Sequence, residues 1–333
     1  MNRISLGRIV NTQTVALVSV LLLNWVLFPG FFKIEWQDGR LFGSLIDVLN
    51  RGAPVAILAI GMTAVIATKG VDLSVGAVMA MSGAVAATLV VAGYPGPVAV
   101  GGALAVGLAC GLWNGVLVAI LDIQPIIATL VLMVAGRGIA QLITEGSIVT
   151  FSDPTLIFIG TGSFLGMPMP VVIAFVLMVL VTLAVRKTAI GLFIEAVGVN
   201  RSAATLAGIR SRLLLLVVYS VSGLCAAIAG IIVAGDIRGA DANNAGLWLE
   251  LDAILAAVIG GTSLLGGRFS IPMSVVGALI IQAMNTGILV SGYPPEFNLV
   301  VKAAIITVIL VIQSPLAGQI LGFFGRNKSG ASR

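Results

Sequence analysis

From Leu213 to Ala234 the chain runs 22 residues without a charged side chain, and apolar stretches of this kind recur from Thr14 to Phe323. Segments of roughly 18 or more such residues are solvated by lipid tails, and only a helix satisfies their backbone there. Of 333 residues, 59% are hydrophobic and 9% are charged, against about 25% charged in a soluble domain. So few charges cannot dress a water-facing surface of this size, which excludes a soluble enzyme. The pattern predicts an all-α fold: a polytopic helical membrane protein with about ten transmembrane spans, some broken, in one domain over 1–333.

The spans are expected at 13–32, 47–68, 71–93, 97–121, 124–143, 169–185, 213–234, 249–262, 271–290 and 297–322. With the N-terminus in the cytoplasm, alternation puts Arg3, Arg8, Lys69, Arg186, Lys187, Arg201, Arg210, Arg212, Arg268, Arg326, Lys328 and Arg333 inside. Lys33, Arg40 and Arg238 fall outside with Arg51, at the outer end of the second span, while Arg137 and Lys302 lie deeper within spans. Twelve basic residues inside against four outside satisfy the positive-inside rule and return the C-terminus to the cytoplasm. The net charge of +5 therefore marks cytoplasmic loops, and no nucleic-acid role is read from it. Arg3 and Arg8 precede an apolar run with no small-residue cleavage site, so the first helix reads as retained.

Histidine is absent, and Cys110 and Cys225 lie far apart in apolar runs, which argues against a thiol or metal centre. Glycine is abundant and clustered, at Gly101, Gly102, Gly107, Gly111 and Gly115, and again at Gly260, Gly261, Gly266 and Gly267. Small residues at four-residue spacing let helix backbones approach closely, so dense packing is expected. The runs Ala64-Val65-Ile66 and Ala257-Val258-Ile259, each followed later by a glycine, hint at two related halves.

Four features break the apolar background. Lys69 to Gly76 interrupts two spans with Asp72 and Ser74, a pair suited to a helix N-terminus or to a broken helix beside a transport path. Arg186 to Arg212 is the longest cytoplasmic segment; its small residues predict a short helix over Ser202 to Leu206 closed by Gly208, fit to dock on a cytoplasmic partner. Asp236 to Asp252 is polar and runs into a segment too short to cross about 30 Å of hydrocarbon, with Glu250 and Asp252 at the expected helix start. Asn114, Arg137, Gln141, Gln282, Asn285 and Lys302 are polar within spans; Asn114 and Asn285 are the first candidates to line a passage, and Arg137 and Lys302 are expected to snorkel.

No phosphate-binding G-x-x-x-x-G-K-[ST] loop occurs, so ATP would have to be handled by another polypeptide. Nor is there a series of carboxylates placed for a proton- or sodium-coupled carrier, which disfavours a stand-alone transporter.

At these same residues the chain resembles the permease subunits of ribose- and galactoside-type ABC sugar importers. The likeness rests on Gly70 to Gly76 (GVDLSVG), Gln124 to Leu130 (QPIIATL), Glu195 to Ile209 and Ile259 to Gly267 (IGGTSLLGG). Val48 to Ile66 and Val233 to Leu255 resemble more narrowly the permeases of galactofuranose importers. The resemblance implies a type II-like ABC importer permease in a bacterial inner membrane, with both termini cytoplasmic. It would form the path for a monosaccharide and bind no cofactor itself. Its implied partners are a nucleotide-binding subunit that uses ATP-Mg, a second homologous permease, a periplasmic sugar-binding protein and membrane lipid.

Glu195, Ala196, Gly198, Asn200, Ser202, Ala203, Ala204 and Gly208 match the family's cytoplasmic coupling region, so the resemblance implies contact with the ATPase within 186–212. Val199 departs from the commoner pattern, which has glycine there. Asp72, Ser74, Asn114 and Asn285 are the candidates for the path. A stand-alone carrier and a branched-chain amino-acid permease of similar architecture are the competing expectations.

Overall fold

The computed structural model describes residues 12–27, 33–37, 40–292, 294, 296, 297 and 299–304. Its helices are α1 (Thr12–Leu27), α2 (Ser44–Ala67), α3 (Val75–Val91), α4 (Gly96–Ala119), α5 (Pro125–Ile143), α6 (Pro154–Thr161), α7 (Met169–Lys187), α8 (Ile190–Val199), α9 (Arg201–Leu206), α10 (Ser211–Asp236), α11 (Leu249–Ile259) and α12 (Ile271–Val290). Three antiparallel pairs of very short strands tie loops together: β1 (Glu35–Gln37) with β2 (Arg40–Phe42), β3 (Val149–Thr150) with β6 (Gly239–Ala240), and β4 (Ser163–Phe164) with β5 (Met167–Pro168). Proline in the first turn, where no amide donor is needed, starts α4, α5, α6 and α7. Arg186 and Lys187 close α7, where positive charge suits a helix C-terminus.

The protein is a polytopic helical membrane protein, and among the described residues six helices, α2, α4, α5, α7, α10 and α12, are long and apolar enough to cross a bilayer. The sequence predicts more because α1, α3 and α11 have 16, 17 and 11 residues. Residues 28–32 of the first expected span and 305–322 of the last lie outside the described residues, as do Arg3, Arg8, Arg326, Lys328, Arg333 and both termini. For α11 the difference has a physical cause. At 1.5 Å per residue α11 covers about 16 Å, roughly half the hydrocarbon thickness, so it starts inside the protein. Helix α6 and the short strand pairs, built from brief segments between spans, are not read from the sequence.

The chain divides into two compact units, Met1–Met284 and Asn285–Arg333. In the first, α10 packs on α4, α2 and α3. Of the 18-residue window of α2, 83% is buried, against 11% for α7, so α2 is an inner helix and α7 a peripheral one. The crossing of α4 with α10 is made by backbone: a Cβ on Gly107 or Gly111 would overlap the carbonyls of Gly223 or Tyr219, and one on Gly223 would overlap Gly107. Gly115 continues the same face, against Leu216, whereas Gly101 faces open space. The second glycine cluster is different in kind, since Gly266 and Gly267 have φ of +80° and +87° and form a turn that side chains strain to adopt.

Connections place the loops at two ends. One end gathers Lys69, Asp122, Val199, Arg201 and Gly267, linked by the Lys69 Nζ donation to Val199 O (2.9 Å), the Arg201–Asp122 ion pair (2.9 Å) and the Gly267 amide on Ala67 O (2.8 Å). We call this the basic end. The opposite end gathers Gly146, β3, α6 and β6, with α6 packed on α10 where Gly160 meets Gly235. Helices α2 and α11 both run toward the basic end and both close on glycine-bearing turns, which is where the two Ala-Val-Ile runs lie.

Gly223→Val is expected to lower the stability of the detergent-solubilised protein by about 1–3 kcal/mol through overpacking, while Gly101→Ala leaves it unchanged or raises it by up to about 1 kcal/mol. Thermal unfolding of the two variants side by side checks this, and equal melting temperatures would contradict a backbone crossing.

Candidate functional site

Asp72 lies in the turn between α2 and α3 and is only 2% exposed. Its Oδ1 accepts from the Ser74 amide (3.0 Å) and the Ser74 hydroxyl (2.6 Å), and its Oδ2 accepts from the Ser222 hydroxyl of α10 (2.8 Å). Asn114 of α4 donates from Nδ2 to Ser74 Oγ (2.8 Å), and Thr129 of α5 accepts from the Leu73 amide (3.2 Å). One turn thus holds α4, α5 and α10 by hydrogen bonds. Ser222 stands 11 residues into α10, about 16 Å along its axis, so the carboxyl group sits well below the basic end.

Ser74 precedes α3 as expected, but its hydroxyl does not cap the helix; it bridges Asp72 and Asn114. Asp72, Ser74 and Asn114 are all sealed, at 2%, 1% and 1% exposure, so in this conformation they join helices instead of facing an open passage. Asn285 sits half-buried on α12 in the second unit. Asn114 Oδ1 and the nearby Tyr219 hydroxyl are buried without a hydrogen-bond partner.

The segment between α10 and α11 turns back into the protein. Gly76 of α3 lies so close to the Gly246 carbonyl and the Glu250 carboxylate that a Cβ would overlap both. The starts of α3 and α11 therefore meet, with Glu250 and Asp252 in the first turn of α11, where carboxylates complement the helix dipole. Arg137 does not snorkel: its Nη1 donates to Ala242 O (3.0 Å) and Ala245 O (2.6 Å), clamping this re-entrant backbone, and Gln141 donates to Asn243 Oδ1 (2.9 Å). Asp241 folds the preceding turn by accepting from the Asn243 and Asn244 amides, and the Asn244 side chain, the main cause, holds its carboxyl below the usual range. Trp248 is 54% exposed at the start of α11 in a left-handed conformation, φ 67°. A half-exposed Glu250 beside it belongs against water or protein, not lipid.

At the basic end the predicted short helix forms as α9. Asn200 caps it by accepting from the Ala203 amide (3.0 Å), and Gly208, φ +90°, follows its end. The hydroxyls of Thr205 and Ser211 are 2.6 Å apart, tying α9 to the first residue of α10. Arg201 also donates to Ala119 O (3.1 Å), at the end of α4.

Two of the eight expected docking residues are placed otherwise. Gly198 is buried where a Cβ would overlap the Ala67 carbonyl and the Gly267 amide, and Ala204 is 5% exposed, so both seat the element and neither presents itself to a partner. Glu195, Asn200, Ser202, Ala203 and Gly208 are exposed, and Ala196 is half-buried. The most prominent side chain is one not singled out in the sequence: Leu206, 91% exposed, with Leu265 at 80% and Val199 at 66% at the same end. An apolar residue at the end of a short polar helix was the available signal. Ser222 gave none, being 150 residues from its partner and one serine among many.

A family model described as "Branched-chain amino acid transport system / permease component" matches residues 44–310. The chain is 64% identical over 302 residues, 91% of it and 89% of the relative, to the Galactofuranose transporter permease protein YtfT of Escherichia coli (strain K12). It is 42% identical over 308 residues to the Fructose import permease protein FruF of Bifidobacterium longum (strain NCC 2705), covering 90% of this chain and 86% of that one. It is 38% identical over 304 residues to the Ribose import permease protein RbsC of Escherichia coli (strain K12), covering 90% and 92%. No solved structure matches.

Asp72→Ala strands the Ser222 and Ser74 hydroxyls, and a loss of about 1–3 kcal/mol is expected. Adding Ser222→Ala should then cost less than it does alone, with a coupling of about 0.5–3 kcal/mol. Unfolding of the four proteins of this cycle in detergent measures it; strict additivity would mean the pair does not act as a unit.

Proposed function

The chain belongs to the permease-component family whose model covers its residues 44–310, and from that premise we propose that it is the membrane subunit of an ATP-driven sugar importer whose cargo is galactofuranose. It is a multi-pass transport permease and not an enzyme. In this reading the basic end faces the cytoplasm of a bacterial inner membrane, with both termini on that side. A separate nucleotide-binding subunit takes ATP-Mg, a second permease completes the passage, and a periplasmic sugar-binding protein delivers the cargo. This chain binds no nucleotide of its own.

The observation that carries the reading is the way α8 and α9 are mounted. The pair is fastened to the ends of α2 and α4 by Lys69, Arg201 and the Gly198 contact, while Leu206 projects 91% exposed from its tip. An apolar knob on a short, capped and firmly seated helix is suited to enter a pocket of a partner and carry force inward. Force applied to α9 reaches α10 through Thr205 and Ser211, and α10 carries Ser222, which closes the Asp72 cluster 11 residues further on. Packed helices tilting as rigid bodies then open that cluster and change the accessible face. Asp72, Ser74 and Asn114 serve as the latch of the closed state, and Asn285 remains a proposed residue of the path. Selectivity resides largely in the binding protein, since a deep well within the permease would slow release.

The test is uptake into vesicles holding the reassembled complex, with labelled galactofuranose, ribose and leucine offered in turn. Nucleotide-dependent uptake of galactofuranose above the other two is expected; leucine uptake would favour an amino-acid permease, and transport by this chain alone without nucleotide would overturn the reading. Leu206→Asp should weaken association with the ATPase by about 2 kcal/mol or more and lower uptake, and Glu195→Lys should lower uptake without altering thermal stability. Gly198→Lys, by contrast, should reduce stability as well, because the residue is enclosed.

A further inference from the structure

Where α9 hands over to α10, two cavities share one wall. The larger, of about 1030 Å³, is lined by Arg201, Arg210 and Arg212 with Asp122, and by Ser202 and Leu206 of α9. Arg201 is ion-paired with Asp122 at 2.9 Å, whereas Arg210 and Arg212 are exposed and pair with no carboxylate among the described residues. The smaller, of about 390 Å³, is an apolar cleft between α8 and α10, lined by Ile190, Phe193, Leu213 and Val217. Gly208, Ile209, Arg210 and Leu213 border both. Leu213 and Val217, four residues apart on one face of α10, are 53% and 45% exposed.

Ser211 opens a 26-residue helix long and apolar enough to span the bilayer, so the first turn of α10 lies at the membrane interface. Two guanidinium groups without a carboxylate partner thus flank the start of a spanning helix, where lipid phosphates lie, and one of them, Arg210, borders the apolar cleft. Guanidinium binds phosphate oxygens through paired N–H donors, and the free amides of a helix start favour the same charge. A soluble anion would have no use for the cleft, and a neutral lipid would leave the positive charge uncompensated. From this arrangement we infer that the junction of α9 and α10 is a binding site for one anionic phospholipid, its phosphate between Arg210 and Arg212 and an acyl chain between α8 and α10. The lipid would brace the element carrying Leu206 against the membrane, whatever solute the protein moves.

The experiment titrates the purified full-length protein in nonionic detergent with phosphatidylglycerol or phosphatidylcholine and counts retained lipid by native mass spectrometry. Phosphatidylglycerol is expected to be retained in preference, and Arg210→Gln with Arg212→Gln should weaken its retention roughly 10- to 30-fold. Arg268→Gln, a basic residue elsewhere at the same end, should not. Leu213→Asn with Val217→Asn keeps both arginines and should also lose the lipid, which preserves the test if the arginine variant does not fold. Equal retention of the two lipids, wild-type retention by the arginine variant, or an equal loss in Arg268→Gln would overturn the inference. So would displacement of phosphatidylglycerol by inorganic phosphate, which would mark a site for a free anion.

Discussion

A carboxyl group placed where little water reaches it must find its hydrogen bonds within the protein, and Asp72 finds them on its own turn and on α10. That requirement fixes much of the rest. Because Ser222 must reach Asp72, α10 is held in register with the turn between α2 and α3. Because Asn114 must reach Ser74, α4 is held in register with both.

The same logic governs the re-entrant backbone before α11. Carbonyl groups exposed by a chain that is neither helix nor strand are unaffordable in lipid, and here Arg137 supplies donors to two of them. A charged residue within a span therefore serves the backbone of its neighbour. Arg137 clamps the carbonyls of Ala242 and Ala245 just ahead of α11, whose first turn carries Glu250 beside Gly76 of α3.

How far this was legible in the sequence depends on whether the deciding contact is local. The long helices α2, α4, α5, α7, α10 and α12 follow from uninterrupted apolar length, and α9 follows from small residues ahead of Gly208. The half-length of α11 is visible because Glu250 and Asp252 mark its start. What the sequence leaves open is which distant partner a polar residue meets: Asp72 with Ser222, Arg137 with Ala242 and Ala245. Small residues are equally ambiguous. Gly198 and Ala204 read the same way whether they form a surface or fill an interface, and only the neighbouring Ala67 and Gly267 decide that Gly198 is enclosed.

The crossing of α4 and α10 through Gly107, Gly111 and Gly223 has a thermal corollary. Glycine has no rotamers to freeze, so drawing the two backbones together or letting them part changes side-chain entropy almost not at all. Whichever way the two helices move at this crossing, no rotamer entropy at these three positions opposes it.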